Sequence, residues 1–105
     1  MPKVTLCRFD ELAPGSARRF DVGKRHIAVV RIGDDVYAIG DVCTHQNISL
    51  AEGEVDEDER TIECWKHGST FSLETGEALI LPATKAEPVY DVRVDGGQIV
   101  VVLDD

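Results

Sequence analysis

No apolar run in this chain approaches the roughly 20 residues that a transmembrane helix requires, so a membrane span is excluded. The N-terminal stretch Met1-Pro2-Lys3-Val4-Thr5-Leu6-Cys7 has no apolar core of the signal-peptide kind. A secretory leader is therefore not expected, and the cytoplasm is the expected compartment. Basic residues are scarce after residue 31. Residues 32–105 hold four Lys and Arg against seventeen Asp and Glu, whereas residues 1–31 hold seven basic residues and three acids. A net charge of −9 argues against nucleic acid, which attracts Lys and Arg. It suits a basic protein surface, where complementary charge speeds encounter. Convincing 3.6-residue periodicity is also missing, except for a short turn near Asp10-Glu11-Leu12.

What is present is a β pattern of globular composition, 43% hydrophobic, in a length that suits one compact domain. Strands are expected over 4–9, 19–22, 26–32, 36–39, 70–73, 89–94 and 98–103, most of them rich in β-branched residues. Gly33-Asp34-Asp35 reads as a tight turn, and Asp95-Gly96-Gly97 as the turn of a closing hairpin. Between Glu52 and Glu59 lie six acids in eight residues, a run that reads as a solvated loop. The pattern predicts an all-β fold, a small antiparallel β-sandwich or barrel. A metal-carrying lobe is inserted over about 41–80, with base sheets drawn from about 1–40 and 81–105. Together they form a single domain over 1–105.

Cysteine and histidine are scarce, three of each, and two of each fall in two short segments. One is Cys43-Thr44-His45 and the other is Cys64-Trp65-Lys66-His67-Gly68. Cys7 lies within a strand and reads as a small hydrophobe. His26 opens an apolar strand and reads as an edge or surface histidine. A Cys43–Cys64 disulfide would leave His45 and His67 unexplained and does not suit the cytoplasm. Cysteine-nucleophile catalysis uses one Cys and one His, not two matched pairs. Metal binding accounts for all four. Zinc takes two Cys and two His, although its paired ligands are normally two to four residues apart. A [2Fe–2S] centre in which two histidines replace two cysteines on one iron takes the same donors.

Cys43-Thr44-His45, eighteen residues, then Cys64-Trp65-Lys66-His67-Gly68 with Phe71 beyond resembles the Rieske signature of Cys-x-His and Cys-x-x-His. The similarity extends to Val36–Ile39, to Phe71–Glu77 and to the closing hairpin, nearly the whole chain. The resemblance implies a Rieske-like antiparallel β-sandwich with an inserted cluster-binding lobe. Its cofactor would be one [2Fe–2S] cluster. Cys43 and Cys64 would bind one iron as thiolates, and His45 and His67 the other as neutral imidazoles. The iron with neutral ligands takes the electron, and the cluster passes from neutral to −1 on reduction. Gly68 would let the backbone approach the cluster. Trp65 reads either as a shield over it or as a partly buried aromatic.

High-potential Rieske proteins carry two further cysteines as a disulfide beside the cluster. Ile48 and Lys66 occupy those offsets here, so that bond cannot form. Ser69 stands at the offset of a Ser hydroxyl donor, and Phe71 at that of a Tyr, without the hydroxyl. Donors to cluster sulfur stabilise the reduced state. The missing one predicts a potential near the ~−150 mV bottom of the Rieske range.

All four ligand positions are protein side chains, leaving no open site for substrate. The chain is similar to the Rieske-type ferredoxins of bacterial ring-hydroxylating dioxygenase systems. That similarity implies a monomeric one-electron carrier and not an enzyme. It would pass electrons from a flavin-dependent ferredoxin reductase to a terminal non-haem iron oxygenase, each presenting a basic docking surface, with the acidic run steering the encounter. Other functions within reach of the same signature are the small Rieske subunit of an assimilatory nitrite reductase and a Rieske protein linked to iron–sulfur assembly. A zinc module remains as a reading outside the family.

Overall fold

The computed structural model describes residues 3–43, 48–66, 68–81 and 83–103. Ten strands form two antiparallel sheets. The larger takes the order β1-β10-β9-β4-β3-β2, from β1 (Lys3–Arg8), β2 (Ser16–Val22), β3 (Arg25–Ile32), β4 (Asp35–Gly40), β9 (Val89–Asp95) and β10 (Gln98–Val102). The smaller takes the order β5-β6-β7-β8, from β5 (Glu54–Asp56), β6 (Thr61–Glu63), β7 (Thr70–Ser72) and β8 (Ala78–Ile80). The all-β reading and its two layers are borne out.

The run His26-Ile27-Ala28-Val29-Val30 is almost continuously apolar because β3 is buried on both faces. Successive side chains of a strand point to opposite sides. Ile27 and Val29 enter one core cluster with Ala38, Ile99, Val101 and Leu103. Ala28, Val30 and Ile32 enter the other, which lies against the small sheet through Ile62 and Phe71. Both cysteines of the paired segments, Cys43 and Cys64, belong to this second cluster. The large sheet is thus a platform on which the small sheet and its loops rest.

The acidic run differs from its expected form. It is not a loop throughout: β5 occupies its middle, with Val55 opposite Ile62 and Glu54 opposite Glu63. Val55 packs against the core while Glu54 and Asp56 face outward. The period of two is carried by one apolar residue, which the charge density obscures. The run then turns at Asp56, whose Oδ1 accepts from the backbone N–H groups of Asp58 (3.0 Å) and Glu59 (3.1 Å), a local turn that Asp favours. Arg60 follows at φ 56° and donates to Asp35 Oδ2 and Tyr37 Oη, both at 2.8 Å, tying the small sheet to β4. Strands β6 and β8 were not expected either; each is only three residues long.

Glycine is required at Gly53 by proximity. A Cβ there would overlap the Glu63 carbonyl oxygen. The close approach lets the chain enter β5 directly beside β6.

Candidate metal centre

The stems of the two paired segments are alike. After β4 the chain passes Asp41 and Val42 to Cys43, whose N–H donates to the Ile48 carbonyl at 2.9 Å. After β6 it reaches Cys64, whose N–H donates to the Ser69 carbonyl at 2.7 Å. Each bond spans five positions, so each cysteine opens a loop of the same size. A Val42–Ser49 bridge closes the stem of the first. In the second, Gly68 N–H also donates to the Cys64 carbonyl at 3.0 Å. Gly68 has φ +78°, and a Cβ there would meet no protein atom within 4 Å. The left-handed backbone, not crowding by protein, is what requires glycine here.

Folding brings Cys43 and Cys64, 21 positions apart in the chain, into one apolar cluster. They are 3% and 2% exposed, and no disulfide joins them. Two buried sulfurs, each at the opening of a five-position loop, fit the thiolate half of an iron–sulfur site. His45 and His67 lie outside the described residues. Cys7 sits half-buried against the other core cluster. Burial pushes its thiol pKa up, with Arg18 opposing, as befits a small hydrophobe and not a ligand. His26 is an exposed histidine on the interior strand β3, 2.8 Å from Asp21 Oδ1 through Nδ1.

Ser69 is fully buried. Its Oγ accepts from Ala83 N–H at 3.1 Å, which holds the hydroxyl in place and leaves its proton to donate. Trp65 projects from the second loop and is 57% exposed; it is surface, not a partly buried aromatic. Pairing of Thr70 with Ile80, together with the Ala83–Ser69 bond, lays Ile80 and Ala83 alongside this loop. Leu79, Ile80 and Leu81 are exposed there. Sequence reasoning missed this apolar edge, because three apolar residues before a proline read as strand interior and not as surface.

The Rieske [2Fe-2S] domain model matches residues 3–93. The chain belongs to the Rieske [2Fe-2S] family. Over all 105 residues it is 40% identical to the 3-phenylpropionate/cinnamic acid dioxygenase ferredoxin subunit of Escherichia coli strain K12, covering 97% of that protein. The ferredoxin of carbazole 1,9a-dioxygenase from Nocardioides aromaticivorans IC177 superposes with a TM-score of 0.95 at 36% identity, over 99% of this chain and 100% of that one. A chain in the complex of reduced oxygenase and oxidized ferredoxin in carbazole 1,9a-dioxygenase matches at 0.87 and 38%, over 94% and 91%. This Rieske protein is therefore a ferredoxin homologous to dioxygenase ferredoxin subunits, an electron carrier with a [2Fe-2S] cluster as cofactor.

Proposed function

We propose that Cys43 and Cys64 hold one iron of the cluster and His45 and His67 the other. The observation that carries this is the matched pair of loops, each opened by a buried cysteine and each containing one histidine in sequence. When bound, the cluster supplies a site that accepts and releases one electron. The protein's residues bury the two sulfurs in an apolar cluster, hold the loops at a fixed size and place the Ser69 hydroxyl beside the second. One domain spans 1–105. Its base sheets come from about 1–40 and 81–105, and its cluster lobe covers about 41–80.

The chain serves as the ferredoxin component of an aromatic-ring dioxygenase system. It takes electrons from a flavin-dependent ferredoxin reductase and gives them to a terminal non-haem iron oxygenase, as a cytoplasmic monomer. Among the described residues no helix is long and apolar enough to cross a membrane. Redox titration with electron paramagnetic resonance of the reduced holoprotein tests the assignment. A Rieske signal is expected, with a potential near ~−150 mV. Zinc in place of iron would overturn the assignment, and a high potential would overturn the low-potential reading.

The partner is expected to present a basic docking surface. Glu54, Asp56, Glu57, Asp58, Glu59 and Glu63 line an open groove of about 600 Å³ with Leu79 and Ile80 on its far wall. Glu54 and Glu63 stand directly opposite each other across β5 and β6, an arrangement that disfavours folding and that a cationic partner would relieve. Changing Glu54, Asp56, Glu57 and Asp58 to their amides should slow reduction by the reductase about tenfold or more at low salt and flatten its salt dependence. Stopped-flow reduction across ionic strengths measures both. An unchanged rate and salt slope would make the groove a passive solvated face.

A further inference from the structure

Asp41 is fully buried, a rare place for a carboxylate without partners. Its hydrogen-bond partners are His26 on β3 and residues 49–51 on the returning stem of the first Cys/His loop. Its N–H donates to the His26 carbonyl at 2.8 Å, and its carbonyl accepts from Leu50 N–H at 2.6 Å. Oδ1 accepts from Ser49 Oγ at 2.8 Å and from Ala51 N–H at 2.9 Å. One residue on the outgoing stem thus grips three consecutive residues on the returning stem. Oδ2 accepts no hydrogen bond and lies 3.4 Å from Arg19 Nη1. Arg19 is 40% exposed in its side chain, and its Nε donates to Asp21 at 2.9 Å.

Loop closure alone does not call for a carboxylate. A neutral asparagine offers the same Oδ1 to Ser49 and Ala51, and burying a charge costs more than burying an amide. The carboxylate adds a negative charge that a half-exposed arginine offsets only in part. Two residues of extended chain reach at most about 7 Å, so this charge lies within Coulomb range of Cys43. An electron added beside a fixed buried negative charge is disfavoured.

We propose that Asp41 is the positioning residue of the first ligand loop and that its buried charge holds the reduction potential of the cluster down. The inference rests on the proposed assignment of Cys43 as a ligand. It predicts opposite effects at the two ends of one ion pair: loss of Asp41's charge raises the potential, and loss of Arg19's charge lowers it further. A residue that merely braced the fold would not move the potential in opposite directions.

The test compares wild-type, Asp41→Asn, Asp41→Ala and Arg19→Gln holoproteins by redox titration, paramagnetic resonance, and iron and sulfide content per chain. Asp41→Asn should keep its cluster and raise the reduced-to-oxidised ratio at fixed potential about tenfold, a shift of ~59 mV for one electron. Arg19→Gln, at a part-exposed site, should keep its fold and shift the other way. Asp41→Ala should lose about half its iron or more, since losing a residue that orients a metal ligand costs roughly 10–100-fold in metal affinity. Asp41→Asn and Arg19→Gln titrating together with wild type would overturn the charge role, and a fully loaded Asp41→Ala would overturn the positioning role. Wild-type protein without a Rieske signal would overturn the proposed function and this inference with it.

Discussion

Cys64→Ala and Cys43→Ala should each purify colourless, with iron and sulfide below about a tenth of the wild-type content. The proposed ligand is the thiolate, and no other described cysteine shares the apolar cluster in which these two are buried. An incoming iron would meet one sulfur and a methyl group. Cys7→Ala is the matched control. It removes a thiol from the opposite core cluster and should leave the cluster content unchanged. Visible absorption and iron analysis read all three. A Cys64→Ala protein that kept full iron content would sink the ligand assignment. Equal losses in all three would point to general damage to the fold.

Phe71→Ala should lower the melting temperature by at least about 12 °C. Phe71 lies in β7 opposite Ile62 and Ala78, is fully buried, and leads the fully buried side chains by volume. Truncating such a side chain costs about 3–5 kcal/mol. A domain of this size has only about 5–15 kcal/mol in total and loses about 4–8 °C per kcal/mol. Trp65→Ala, at a larger but surface aromatic, should stay within about 0.5 kcal/mol of wild type. Thermal unfolding followed by circular dichroism separates the two. If Trp65→Ala destabilised more than Phe71→Ala, the packing of the two sheets described above would be wrong.

Much of this was legible in the chain because local chemistry speaks where residue types are rare. Two Cys/His segments in a chain with three of each leave few alternatives, and the Rieske resemblance rests on them. The long strands β3, β4, β9 and β10 were legible for a different reason. Each is a run of β-branched residues bounded by Gly and Asp turns, so propensity and tertiary packing agree. The short strands were not legible. β5, β6 and β8 are three residues each, too short for a period to register, and β5 has one apolar residue among acids. They are strands because each finds a neighbour to pair with in the small sheet, and that neighbour is distant in sequence or hidden by charge.

Residue types and spacings along the chain are enough for the fold class, the family and the identities of the candidate ligands. How those residues are used follows from folding. It placed Cys43 and Cys64 in one dry cluster and left Trp65 outside. It turned three residues of the acidic run into a strand whose Glu54 faces Glu63. It also buried Asp41 under the first ligand loop. The physical reason is common to all four. Burial and partnership are properties of pairs of segments brought together by folding, and no local pattern encodes which pair a residue will join.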